Sequence, residues 1–316
     1  MSKDKRNSRK MKGDEFVGNK GILLETGTGE VEILEFAINK EYYDINVIKV
    51  KEILEVDYLT KIPNSHPAVA GLTLVRGDVV TLIDMKYVIE KKNTDIKKCK
   101  VILCEFNNMK VAFCVDNILG IHRIGWDQIR KSENVNESSL VIGNIIFNNK
   151  ILMLLDFEKI VMDISPASGI SEKRMNGIES KDRSGVKMIL ADDSPLIRKV
   201  LNDTLTKAGF KNLRFFDDGQ QAYDYLSSIS DEKGENFIDD VQILITDIEM
   251  PQMDGHTLTR KVKEHKILKS LPVIIFSSLI TGDLMHKGQS VGADGQMSKP
   301  EIGKLVNLID GLTIEK

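Results

Sequence analysis

Five residues carry groups that could work together on a phosphoryl group if the fold gathers them: Asp192, Asp193, Asp247, Ser277 and Lys299. Three carboxylates in one cleft repel one another unless a cation neutralises them. Hard oxygen donors with few other ligand types suit Mg2+, which keeps several waters and accepts phosphate oxygens. One carboxylate can then attack phosphorus, as aspartyl-phosphate chemistry requires. A nearby hydroxyl and ammonium would hold the phosphoryl oxygens as charge develops. Taken singly, an acidic residue at a strand end is usually a helix cap or turn residue. A lone Lys299 before Pro300, or a lone strand-end Ser277, carries even less information. The joint placement is what counts: Asp193, Asp247, Ser277 and Lys299 follow one another at separations of 54, 30 and 22 residues. Each stands at the end of an apolar run.

Those runs are the elements that must position the groups. KMILADD (187–193), NLRFFDD (212–218), VQILITD (241–247), PVIIFSS (272–278) and GQMSK (295–299) are strand candidates, with helical stretches between them. SPLIRKVLNDTLTKAG (194–209) places Pro195 in a first turn, where its missing N–H costs nothing, and Gly209 as a stop. Leu196, Ile197, Val200, Leu201, Leu205 and Ala208 then share one face. Five β–α alternations predict a doubly wound, five-stranded parallel sheet. Active groups in such sheets lie at the carboxyl ends of the strands, which is where the five residues fall.

The N-terminal half is patterned differently. VEILEFAI (31–38) alternates in part, and YYDINVIKVKEIL (42–54) mixes β-branched with other apolar residues. GLTLVRGDVVTLIDM (71–85) reads as strand, Arg-Gly turn, strand. CKVILCEFNNMKVAFCVDNIL (99–119) and VIGNIIFNNKILMLLDFEKI (141–160) each place apolar runs around an Asn-Asn pair, and Asn tolerates positive φ. Short strands joined by tight turns predict an all-β barrel or sandwich. His66 and His122 lack a catalytic constellation beside them and are assigned to structure or surface. Cys99, Cys104 and Cys114 form no CxxC pair, so a zinc site or disulfide framework is not expected.

With 316 residues the chain suits about two domains. Residues 1–14 read as a disordered basic arm, with six Lys or Arg in the first 13 residues, and 164–186 read as a Ser- and Gly-rich linker. The domains are therefore expected at 15–163 and 187–316. The net charge of −3 divides into +1 over 1–186 (28 basic, 27 acidic) and −4 over 187–316 (16 basic, 20 acidic). This balance argues against nucleic-acid binding. No apolar run reaches the roughly 18 residues of a membrane span, and the basic start lacks the apolar stretch of a secretory signal. A cytoplasmic protein without direct membrane insertion is expected.

ADD (191–193), TDIEMPQMDG (246–255), FSS (276–278) and SKP (298–300) resemble the response-regulator receiver domain, a flavodoxin-like α/β fold. The resemblance implies that Asp247 is the phosphoacceptor, taking its phosphoryl group from a phosphohistidine on a sensor kinase. It also implies that Asp192, Asp193, Asp247 and the backbone carbonyl of Glu249 hold Mg2+. Ser277 would hydrogen-bond the phosphoryl group, Lys299 would pair with it, and Pro251 and Gly255 would shape the loop after the acceptor. The sequence departs from the family where Gln296 replaces the usual aromatic switch residue. Glu249 adds a charge near the path of the attacking water.

FAINKEYYDINVIKVKEIL (36–54), IPNSHPAVAGLTLVRGDVVTLIDM (62–85), VAFCVDNILGI (111–121) and ILMLLDFEKI (151–160) resemble the CheW chemotaxis coupling domain, a pair of five-stranded barrels. This implies a partner-binding role for Arg76 and Gly77. A coupling domain followed by a receiver resembles the CheV-type family. Such proteins link methyl-accepting chemoreceptor cytoplasmic domains to the histidine kinase CheA at membrane-associated arrays. The resemblance implies a scaffold whose receiver takes part only in its own phosphotransfer and dephosphorylation, with no separate substrate.

Other functions remain to be weighed. A receiver acting mainly as a phosphate sink fits the same residues. A Mg-dependent aspartyl-phosphate phosphatase of the haloacid dehalogenase type wants a DxD motif, and the adjacent Asp192-Asp193 pair has the wrong spacing. A transcriptional regulator would need a groove-reading helical domain, and the N-terminal half reads as all-β.

Overall fold

The computed structural model describes residues 30–56, 58–106, 109–130, 139–165, 181–280 and 282–313. The expected arm (1–14), most of the expected linker (166–180) and the Asn107-Asn108 turn lie outside the described residues.

The N-terminal half is built from two sheets. The first has the order β8-β1-β2-β11-β10-β9, from β1 (Glu30–Ile38), β2 (Glu41–Asn46), β8 (Asn117–Gly125), β9 (Ile129–Arg130), β10 (Val141–Phe147) and β11 (Lys150–Leu155). The second has the order β3-β6-β7-β5-β4, from β3 (Val50–Leu54), β4 (Val69–Val75), β5 (Asp78–Asp84), β6 (Lys100–Phe106) and β7 (Met109–Val115). The two-residue β9 gives the first sheet six strands rather than five. Strand alternation sorts the side chains into three cores. Val31, Ile33, Ile124, Ile145 and Leu152 fill the first sheet's own interior. Val80, Leu82, Val101, Leu103 and Ala112 fill that of the second. Leu34, Phe36, Ile38, Ile102 and Phe113 meet between the two.

The turns follow from backbone chemistry. Arg76 (φ 51°) and Gly77 (φ 91°) close the β4–β5 hairpin, and Asn148 (φ 49°) and Asn149 (φ 62°) close β10–β11. Paired positive φ values match the twist of antiparallel strands. Two segments differ from the sequence reading. The 42–54 run is not continuous strand, because a 3-10 turn (Val47–Lys49) separates β2 from β3. Asn46 drives the break, its Oδ1 accepting from Ile48 N at 3.1 Å. The 151–160 run continues past β11 into a helix, α2 (Phe157–Ile164), capped by Asp156 through Lys159 N at 2.9 Å. A shorter helix, α1 (Met85–Glu90), follows β5 and is capped by Asp84.

The C-terminal half alternates β12 (Lys187–Ala191), α3 (Pro195–Lys207), β13 (Asn212–Phe216), α4 (Gly219–Lys233), β14 (Ile243–Thr246), α5 (Gly255–Glu264), β15 (Val273–Ser277), α6 (Gly282–Ser290), β16 (Gly295–Ser298) and α7 (Ile302–Thr313). The five strands are parallel, in the order β13-β12-β14-β15-β16. Apolar residues of α3 and α7 cover one face, and those of α4 and α5 the other. This explains why β14 and β15 are buried throughout. Ser194 caps α3 and Pro195 opens it, as its composition predicts. Arg183 and Val186 are buried against this half, Arg183 making two 2.7 Å contacts to the Asp310 carboxylate.

Candidate phosphoacceptor site

The first, third, fourth and fifth strands of the parallel sheet deliver their carboxyl ends to one cleft. Asp192 and Asp193 directly follow β12, Asp247 follows β14, Ser277 is the last residue of β15, and Lys299 follows β16. Backbone pairing sets the register: Asp247 N donates to Ala191 O at 2.8 Å. The Asp192, Asp193 and Asp247 carboxylates offer oxygen atoms within 4.8 Å of one another. Lys299 lies beneath them, its ammonium 2.7 Å from Asp247 Oδ2 and 3.0 Å from Asp192 Oδ2.

Electrostatics marks the cleft as short of positive charge. Burial, opposed by Lys299 and reinforced by Asp247, pushes Asp192 up to about 7. Burial and the Asp192 and Asp247 charges hold Asp193 well above the usual carboxylate range. Lys299 is held above the ordinary lysine value because Asp192 and Asp247 outweigh its burial. One ammonium among three acids leaves room for a hard cation, and the donors are all oxygens.

The loop after Asp247 is shaped by steric necessity. Gly255 N donates to Ile248 O at 2.9 Å, and a Cβ on Gly255 would collide with the Asp247 carbonyl oxygen. Ile248 N donates to Asp247 Oδ1 at 2.6 Å, orienting that carboxylate. Ser277 is buried in the cleft wall, where its Oγ accepts from Leu279 N at 3.2 Å. Gln296 Nε2 donates to Met285 O on α6 at 2.8 Å. The usual aromatic position is thus occupied by a side chain tied to the neighbouring helix.

The sequence reading missed the residues that the N-terminal half brings to this cleft. Lys49, in the 3-10 turn, stands 2.9 Å from Glu249 Oε2 and 3.3 Å from Glu158 Oε1. Glu158, on α2, accepts from Ser278 Oγ at 2.7 Å and lies 3.7 Å from the Lys299 ammonium. Asp156 Oδ2 accepts from Ser194 Oγ at 3.5 Å. Ile48 packs on the cluster of Ile248, Ile275, Leu279 and Leu284. Although burial opposes it, the Lys299 and Lys49 charges hold Glu158 down at about 2. Glu249 goes the other way, burial outweighing Lys49 and raising it to about 7. The Glu249 side chain is therefore engaged by the other half of the chain. An ordinary lysine and glutamate in short-range patterns give no warning of such contacts.

Away from the cleft, Arg76 is exposed and its guanidinium meets the Glu52 carboxylate at 2.8 and 2.9 Å. Gly77 stands beside it in the hairpin turn. His66 accepts from Ala68 N through Nδ1 at 3.2 Å, and His122 Nε2 lies 2.7 Å from Glu35 Oε2. Both serve local structure. The three cysteines are buried and free.

Residues 32–165 match the CheW-like domain and residues 188–310 the response regulator receiver domain. The chain is thus a coupling-type β domain joined to a receiver. Chemotaxis protein CheV3 of Helicobacter pylori is 28% identical over 302 residues, covering 88% of this chain and 95% of the relative. Chemotaxis protein CheV1 of the same organism is 27% identical, covering 90% and 94%. A crystal structure of the scaffolding protein TtCheW from Thermoanaerobacter tengcongensis aligns with 40% of this chain and 89% of its own, at 23% identity and a TM-score of 0.37. The chain carries a CheW-like domain followed by a receiver domain and is similar to these CheV proteins over nearly their full length.

Proposed function

We propose that the chain is a chemotaxis coupling adaptor whose receiver is phosphorylated on Asp247. The observation that carries this reading is the meeting of Asp192, Asp193, Asp247 and Lys299 at one sheet edge, in a chain whose other half is CheW-like. Its partners are the histidine kinase CheA and the cytoplasmic domains of methyl-accepting chemoreceptors, which would recruit it to membrane-associated arrays. No helix among the described residues is long and apolar enough to cross a membrane. The proposed division is arm 1–14, coupling domain 15–163, linker 164–186 and receiver 187–316. Arg76 and Gly77, at an exposed hairpin tip, are the proposed partner contacts.

In the proposed transfer, an Asp247 carboxylate oxygen attacks the phosphorus of a phosphohistidine. The P–N bond breaks, and the imidazole departs with its electron pair and takes up a proton. Asp192, Asp193, Asp247 and the Glu249 backbone carbonyl would hold Mg2+, which when bound offsets charge on the phosphoryl oxygens. The Asp247 carboxylate is oriented by Ile248 N. Lys299, already 2.7 Å from Asp247, pairs with the transferred group, and the Ser277 hydroxyl donates to it. Burial of these side chains strengthens each of those interactions.

The test is transfer from radiolabelled phospho-CheA to the full chain and to Asp247→Asn and Asp247→Ala. Both variants are expected to lose labelling while keeping receptor binding. Undiminished incorporation in either would overturn the assignment.

A further inference from the structure

The cleft that would receive the phosphoryl group already holds an anionic side chain, and that side chain comes from the other domain. Helix α2 is amphipathic in an unusual sense. Phe157, Ile160 and Val161 are buried in the coupling core, with Phe157 edge-on to Phe113 at 4.7 Å. Ile164, three residues beyond Val161, packs on the same core. Of the residues between them, Glu158 enters the cleft and Met162 packs on the cluster of α3 and α7. A helical period of 3.6 produces this division. The helix is anchored in the coupling core, and its other side, with Glu158 and Met162, is presented to the receiver.

Glu158 lies on groups that border the phosphoryl position: Ser278, the neighbour of Ser277, and Lys299. Its Oε1 accepts from Ser278 Oγ at 2.7 Å, and its Oε2 is 3.7 Å from Lys299. Lys299 is the ammonium nearest Asp247. Asp156 and Glu249 add two further carboxylates around the same space, with Lys49 bridging Glu158 and Glu249. A phosphoryl group brings about two negative charges and three acceptor oxygens. It would take Lys299 from Glu158 and stand against the Glu158 charge in a buried cleft.

We infer that α2 is an autoinhibitory plug: Glu158 seated on Ser278 and Lys299, and a phosphoryl group on Asp247, exclude each other. The inference rests on Asp247 being the phosphoacceptor. The modification thereby reaches the coupling domain: phosphorylation expels Glu158 and releases the coupling domain from the receiver. Reciprocity follows, because two states that disfavour each other do so equally in both directions. Holding the coupling domain away must make Asp247 easier to phosphorylate.

The test uses the full chain with acetyl phosphate, whose P–O bond breaks as Asp247 takes the phosphoryl group and acetate leaves. Glu158→Gln and, separately, Lys49→Ala are expected to raise the initial rate of Asp247 phosphorylation by about fivefold or more, the lower end of ordinary allosteric coupling. In the unmodified chain, Mg2+ with beryllofluoride is expected to increase amide hydrogen exchange across 157–164, a readout needing no variant. Equal rates in all three chains, or unchanged or slower exchange with beryllofluoride, would overturn the plug while leaving Asp247 as acceptor. Absence of phosphate on Asp247 in every chain would instead overturn the acceptor assignment, and the plug with it.

Discussion

The Lys49 ammonium and the Glu249 carboxylate meet at 2.9 Å, joining the 3-10 turn between β2 and β3 to the loop after β14 of the receiver. Lys49 keeps its charge because Glu249 and Glu158 outweigh the cost of its burial. A charge pair closed off from water has little value over an apolar contact, but removing one partner is expensive. Lys49→Met is therefore expected to destabilise the full chain by about 3 kcal/mol. Glu249→Gln should cost less, and the double variant should show coupling of at least about 1 kcal/mol in a denaturation cycle. Additive losses would mean that the pair does not hold the domains together.

The receiver was legible almost strand by strand, because its chemistry and its fold depend on the same positions. A parallel sheet buried on both faces needs continuous apolar runs, and the acids that end them are the site itself. Asp247 after ILIT and Lys299 after GQMS show this directly. The hairpins at Arg76-Gly77 and Asn148-Asn149 were legible because positive φ restricts residue type. Two features were hidden for opposite reasons. Helix α2 begins one residue after β11 ends plus its cap, Asp156, so the apolar run gives no break between strand and helix. The Lys49–Glu249 and Glu158–Ser278 contacts depend on docking of two domains, and docking leaves no periodic trace in either segment.

The acidic cleft makes a prediction about metal. Asp192, Asp193 and Asp247 place carboxylate oxygens within 4.8 Å of one another, with Lys299 as the ammonium among them. Binding to the folded chain alone raises stability by mass action, about 2.7 kcal/mol at a hundred times Kd. Addition of Mg2+ is expected to raise the receiver's melting temperature by several degrees, and chelation should reverse it. Asp193→Asn removes one repelling charge and one ligand together. It should melt higher than the unmodified chain without Mg2+, yet lose most of the Mg2+-dependent rise. A full Mg2+ response in that variant, followed by calorimetry, would remove Asp193 from the ligand set.

Asp44 gives a pH dependence that is independent of the cleft. It lies in the middle of β2, fully buried, and neither carboxylate oxygen has a hydrogen-bond partner. Glu35 on β1 is directly opposite, with His122 of β8 and Lys150 of β11 both turned to Glu35. Burial, reinforced by the Glu35 charge, raises Asp44 from 3.8 to about 7. The folded chain thus binds a proton that the unfolded chain has released, so stability must fall as pH rises through that window and level off above it. The slope is one proton, about 1.4 kcal/mol per pH unit, and the whole effect is at most about 4 kcal/mol. Asp44→Asn keeps the shape without the charge. At pH 8 it should be more stable than the unmodified chain by about 2–4 kcal/mol, and the difference should shrink towards pH 4. Urea unfolding at several pH values measures this directly. Parallel stability curves for the two chains would show that Asp44 is not the group that titrates.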